Sequence, residues 1–201
     1  MGIDKLAIFG DSGHAKDIEI IVRNKNPNCE LVFITHENES KIVEQCYSYD
    51  FKFIIGIGNN LKRLEISNKY KNLNWISVIA ESCVCSPDVN LGEGSFIGHS
   101  VFISHNVKIG SHVIINANAS IGHDATISNY SQICPSSTIG GNGVTIGEGT
   151  FLGSSVSVIN KKISIGDWSD ISFGSIISKD VASNVVYQQY RKEIIIRKGL
   201  H

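Results

Sequence analysis

Between residues 79 and 179 the chain sets an aliphatic residue at every sixth position: Leu91, Ile97, Ile103, Ile109, Ile115, Ile121, Ile127, Ile133 and Ile139. Ile79 and Cys85 continue the beat upstream. The beat slips by one residue between Gly140 and Thr145, resumes at Ile146, Leu152 and Val158, slips again, and closes with Ile165, Ile171 and Ile177. A period of six fits neither a 3.6-residue helix nor an alternating strand; it fits a parallel β-helix in which each hexad is one side of a triangular coil. The position four residues after the aliphatic is mostly small or β-branched, as at Ser95, Val101, Val113, Ala119, Ser137 and Val156, which suits a tight corner. Glycines such as Gly98, Gly122 and Gly153 fall in the turns, where positive φ and close coil contact are expected. Roughly five to six coils are predicted.

Upstream the pattern changes to strand, turn, helix. Residues 5–10 read as a buried strand, 11–14 as a Gly-containing turn and 15–23 as a helix with Ala15, Ile18, Ile21 and Val22 on one face. Strands at 30–35 and 52–57 and a helix at 61–70 complete a small α/β, Rossmann-like sheet. Ligands of such sheets sit past the carboxyl ends of the strands, here at 10–14, 35–36 and 56–59. The turn from Gly10 to His14 is not the GxGxxG fingerprint, so it reads either as a phosphate-binding turn or as a plain entry into the helix. The expected organisation is a Rossmann-like domain over residues 1–77, a β-helix over 78–181 and a tail over 182–201.

Charge and cysteine usage narrow the partners. The formal net charge is −1 with both signs mixed along the chain, which disfavours nucleic acid and anionic membranes and favours small molecules. No apolar run approaches the roughly 18 residues of a membrane span. The five cysteines cannot all pair and form no CxxC motif, so free thiols in a reducing, cytoplasmic setting are expected, with Cys83 and Cys85 in packing roles.

Positions 18 apart stack in successive coils, which places His105, His123 and Gly141 in one column at a corner, with Asp124 beside His123 and the slip at Gly140–Thr145 beside Gly141. Imidazole is suited to proton transfer near neutral pH, and a neighbouring carboxylate orients it. A backbone N–H in an extended glycine segment suits an oxyanion donor. The alternative is a set of polar residues at a solvated turn with no role. His99 and His112, on other turns, are expected to be solvated, and Trp75 to pack at the domain junction.

Three stretches, FGDSGHAKDIE, IGIGNNLKRLEI and INANASIGHDATISNYSQICPSSTIGGN, together resemble the NeuD/PglD-type sugar acetyltransferases, hexapeptide-repeat proteins with a left-handed β-helix. The resemblance runs from Lys5 to about Val186. It implies a cytoplasmic homotrimer that moves acetyl from acetyl-CoA, without a metal, to an amine of a nucleotide-linked sugar or to a hydroxyl of a sialic acid. His123 would be the general base, Asp124 its carboxylate partner and Gly141 the oxyanion donor. Gln132, Gly141, Ser154 and Phe173 would line the acetyl-CoA groove between subunits. Ser12, Gly13 and His14 would face the sugar or its phosphates, with Thr35, His36, Gly56 and Asn59 around base and ribose. The chain departs from the family pattern where Thr35-His36 replaces an Asp pair suited to uracil, where Gln132 replaces a histidine, and in its ending from Gln188 to Lys192.

Rival readings remain. One is sugar O-acetylation. A second is a zinc carbonic anhydrase of the β-helix type built on His99, His105, His112 and His123. A third is a non-catalytic β-helix that binds or scaffolds. A covalent route through Cys134 is disfavoured, since no histidine adjoins it in sequence.

Overall fold

The computed structural model describes residues 3–35, 39–159 and 162–189. The chain begins with three parallel strands, β1 (Lys5–Phe9), β2 (Glu30–Ile34) and β3 (Lys52–Ile55), in the order β2-β1-β3. The connections carry α1 (Gly13–Lys25) and α2 (Glu39–Ser48), and α3 (Asn60–Lys69) follows β3. Leu6 and Ile8 pack under α1, while Ala7 and Phe9 point to the other layer with Val43, Phe53 and Trp75. This is the burial on both faces that a parallel sheet requires.

From Val78 the chain winds as a parallel β-helix of two-residue strands that stack into faces of seven, six and five strands. Partners are 18 residues apart early on, as in Ile97 against Ile115, and 19 apart across the first slip, as in Ile127 against Ile146. The beat's aliphatics from Ile97 to Ile177 form one continuous buried column. Ile79 and Cys85 are exposed instead, because the first coil has no coil beneath it. The small residues four positions on are buried too, and their hydroxyls are satisfied: Ser95, Ser131, Ser137 and Thr150 donate to carbonyls of Gly110, Gly147, Gly153 and Gly166 at 2.7–3.0 Å.

Two expectations are corrected. Positive φ falls not on the glycine that follows each aliphatic but two residues later, at Ser100, Asn106, His112, Asn118, Asp124, Tyr130, Ser136 and Asn142, with φ of 55–61°. The earlier glycines are there for closeness: a Cβ on Gly122 would lie 2.4 Å from Gly141 N in the next coil. Residues 182–189, expected as a tail, carry the β-helix onward, because Val186–Tyr187 pairs with Asp170–Ile171.

The two domains share a buried junction. Ile18, Ile21 and Val22 of α1 lie on Val78, Phe96 and Ile114 of the seven-stranded face. Arg63 of α3 is 1% exposed and donates to five carbonyls, those of Ile57, Gly58, His112, Tyr130 and Ser131. His112 is 3% exposed, stacked on Tyr130 and edge-on to Trp75. The expectation of a solvated His112 fails because the N-terminal domain covers this face, whereas Trp75 packs at the junction as expected.

Candidate active site

The strand Ser120–Ile121 of the six-stranded face turns into Thr126–Ile127 of the five-stranded face through Gly122-His123-Asp124-Ala125. Asp124 takes a left-handed φ of +61°, which aims its carboxylate back along the corner at the ring beside it. His123 Nδ1–H donates to Asp124 Oδ2 at 2.6 Å, so the lone pair is left on Nε2. The His105 ring stacks on His123 at 5.2 Å with 10° between planes. Asp124 is held below the usual carboxylate range, chiefly by the hydrogen bond from His123 and then by one from Asn106.

The Nε2 edge of His123 lies against Gly141, where a Cβ would stand 2.9 Å from Nε2 and 2.8 Å from Cδ2. At the neighbouring corner, third-position amides are capped by the next coil: Ser111 N–H donates to Asn129 Oδ1 and Glu148 N–H to Asp167 Oδ1. Gly141 N–H has no acceptor among the described residues. The chain continues through Asn142 and Gly143, both at positive φ, which absorb the extra residue of this corner. The His123 Nε2 edge and the buried backbone of Gly141 thus lie side by side at this corner.

A second feature lies on the opposite side of the coil. A cleft of about 430 Å³ separates the start of α3 from the seven-stranded face, lined by Asn59, Asn60, Gln132, Phe151, Trp168 and Asp170. Gln132 Oε1 is buried there without a hydrogen-bond partner. Among the described residues no cluster of three His, Cys, Asp or Glu side chains could hold a metal ion, and no helix is long and apolar enough to cross a membrane.

Residues 5–70 match the family described as PglD N-terminal domain, and residues 88–123 match bacterial transferase hexapeptide (six repeats). The chain belongs to the NeuD/PglD-type sugar acetyltransferases. No curated protein matches it by sequence. Among solved structures, it resembles a histidine-to-alanine variant of the GDP-perosamine N-acetyltransferase of Caulobacter crescentus in complex with CoA and GDP-perosamine. The TM-score is 0.84 at 24% identity, covering 92% of this chain and 93% of that one. The acetyltransferase domain of PglB from Neisseria gonorrhoeae FA1090, in complex with acetyl coenzyme A, gives 0.83 at 21% identity over 90% and 94%. WeeI from Acinetobacter baumannii AYE gives 0.74 at 21% identity over 91% and 96%. At these identities the likeness is one of fold.

Within this sugar acetyltransferase the residues singled out from sequence fall into separate groups. His123, Asp124 and Gly141 meet at one corner. Asn59 and Gln132 meet across the cleft. Ser154 and Phe173, both exposed, are neighbours on a third corner, where Gly174 N–H donates to Ser154 O at 2.9 Å. Ser12 and Gly13 are exposed at the start of α1, and Thr35 directly follows β2. Two of the substrate group do not lie open: Gly56 is buried against Ala15 of α1, and the His14 ring turns inward, edge-on to Phe96, with Nε2 buried and unpartnered. His36 and the stretch from Tyr190 to Lys192 lie outside the described residues. Arg63 and Asn106 were not foreseen; only the 18-residue spacing from Asn106 to Asp124 could have pointed to the latter.

Proposed function

We propose that this protein transfers acetyl from acetyl-CoA to the amino group of a nucleotide-linked amino sugar. The observation that carries the reading is the corner where His123 Nε2, freed by the Nδ1–Asp124 bond, lies against the backbone of Gly141. The acceptor nitrogen attacks the thioester carbonyl as His123 Nε2 removes its proton. The new C–N bond forms, the carbonyl oxygen gathers charge at Gly141 N–H, and the C–S bond breaks. His123 then returns the proton to the departing thiolate. The oxyanion contact contributes about 3 kcal/mol and the base about 100- to 10,000-fold.

In one subunit the dyad occupies the vertex opposite the face that carries the cleft. A site holding both therefore draws them from different copies, in keeping with a homotrimer whose acetyl-CoA and sugar-nucleotide grooves lie between subunits. Asn59, Gln132, Trp168 and Asp170 give the cleft polar groups and a flat apolar ring, with Asn59 toward the sugar nucleotide and Gln132 toward acetyl-CoA.

The test is thiol release from acetyl-CoA against a panel of 4-amino sugars linked to GDP, UDP and dTDP, together with sialic acid. One nucleotide-linked amino sugar is expected to respond, and His123→Ala to reduce kcat by about 100- to 10,000-fold. A response to sialic acid alone would replace the reading with O-acetylation. Silence across the panel with intact folding would favour a binding or scaffolding role.

A further inference from the structure

Along the corner that carries the dyad, the residue following the His column alternates in type every 18 positions: Asp88, Asn106, Asp124, Asn142. Acceptor-only and donor-bearing side chains therefore stand above one another, and no two carboxylates are adjacent in the column. The described bonds run upward without a break. Ser86 Oγ donates to Asp88 Oδ1 at 2.6 Å, and Asn106 N–H donates to Asp88 Oδ2 at 2.9 Å. Asn106 Nδ2 donates to Asp124 Oδ1 at 2.6 Å, and Asp124 Oδ2 receives His123 Nδ1–H at 2.6 Å.

Resting on the reading of His123 as general base, we infer that Asn106 is a positioning residue: its amide holds one oxygen of Asp124 so that the other is presented to His123, keeping the imidazole in the Nδ1–H tautomer with Nε2 free.

An exposed hydrogen bond between two mobile side chains would do little of this. Here both ends are fixed. Asn106 and Asp124 each take a left-handed φ, +55° and +61°, a conformation that Asn and Asp tolerate better than most residues. Their coils are locked by backbone bonds on both sides, Ser104 N–H to Ile121 O and Lys108 N–H to Ala125 O, each 3.0 Å. Asp124 N–H also donates to His105 O at 3.2 Å. With its backbone held and one oxygen taken, the carboxylate has a single oxygen left for the ring. Since an ionised carboxylate only accepts, the hydrogen in its bond to Asn106 comes from the amide nitrogen.

Asn106→Gly removes the amide while keeping a residue that adopts positive φ without strain. Asn106→Asp keeps the turn preference but sets a third carboxylate between Asp88 and Asp124. Protein labelled with ¹⁵N-histidine reports tautomers in long-range ¹H–¹⁵N spectra with no substrate present. The wild type is expected to show His123 as a single Nδ1–H tautomer, and both variants a mixture of the two. In the transferase assay, kcat for Asn106→Gly is expected to fall about tenfold with KM for both substrates within about twofold. On an Asp124→Ala background the same substitution is expected to change nothing further. An unchanged tautomer and kcat in Asn106→Gly would overturn the inference, and so would an equal loss with and without Asp124. Because the spectra need no turnover, a coupled tautomer in an enzyme silent on the sugar panel would sink only the proposed reaction.

Discussion

Gly141 is where backbone and chemistry meet most closely. A methyl carbon there would stand 2.9 Å from His123 Nε2, well inside van der Waals contact, and 3.1 Å from His123 O. The ring can yield only by leaving its stack with His105 or by stretching its bond to Asp124. Gly141→Ala is therefore expected to fold, since the atoms nearest the added methyl all belong to one partly exposed residue, yet to lose at least about 100-fold in kcat, as when an oxyanion donor is displaced. Steady-state kinetics beside a thermal melt checks this. Equal activity in the variant would mean that acyl transfer does not occur at this corner. The dyad itself was legible in the sequence because a strict coil length turns an 18-residue spacing into vertical contact, and His-Asp beside a glycine slip stood out against that grid. Asn106 was missed because its role is visible only once its side chain is seen to reach Asp124 rather than solvent.

At the scale of elements, the beat of aliphatics was readable because each coil must place one residue inward per side, whatever the chain does elsewhere. The junction was not readable in that way. Arg63 owes its burial to carbonyls from three separate segments, and α2 fully buries just Val43 and Cys46 with Ile42 partly packed beside them, too narrow a stripe to signal a helix. The junction also carries a pH dependence. Burial first, and then the nearby Arg63 charge, hold His14 and His112 down to about 4 from an ordinary 6.5. Between those values the unfolded chain binds protons that the native state refuses, so stability is complete above about pH 6.5 and is lost as pH falls toward 4. For the well-buried His112 the effect is on the order of 3 kcal/mol. Urea midpoints are expected to drop steeply between pH 7 and pH 4.5, and His112→Phe, which keeps a flat ring between Tyr130 and Trp75, to flatten that drop. A variant as acid-sensitive as the wild type would place the dependence elsewhere.

At the scale of the whole molecule, the triangular section decides how the site can be assembled. The seven-stranded face carries Gln132 and the N-terminal domain, and the opposite vertex carries His123, with the filled coil between them. No hinge in a β-helix brings a face and its opposite vertex together, because every coil is bonded to the next along all three faces. If both are needed, they come from different copies in a closed ring, each interface pairing one subunit's dyad with another's cleft. That arrangement predicts complementation. His123→Ala lacks the base, and the double variant Asn59→Ala/Gln132→Ala lacks the cleft's polar groups, so each alone is expected to be nearly inactive. When the two are unfolded together, refolded at equal amounts and assembled at random, one interface in four joins an intact vertex to an intact face, and activity is expected to return to about a quarter of wild type. Two variants that stay inactive when mixed, with mixed assemblies confirmed by mass, would require both halves on one chain. The single-chain geometry forbids that arrangement, so such a result would overturn a site shared between one subunit's vertex and another's face.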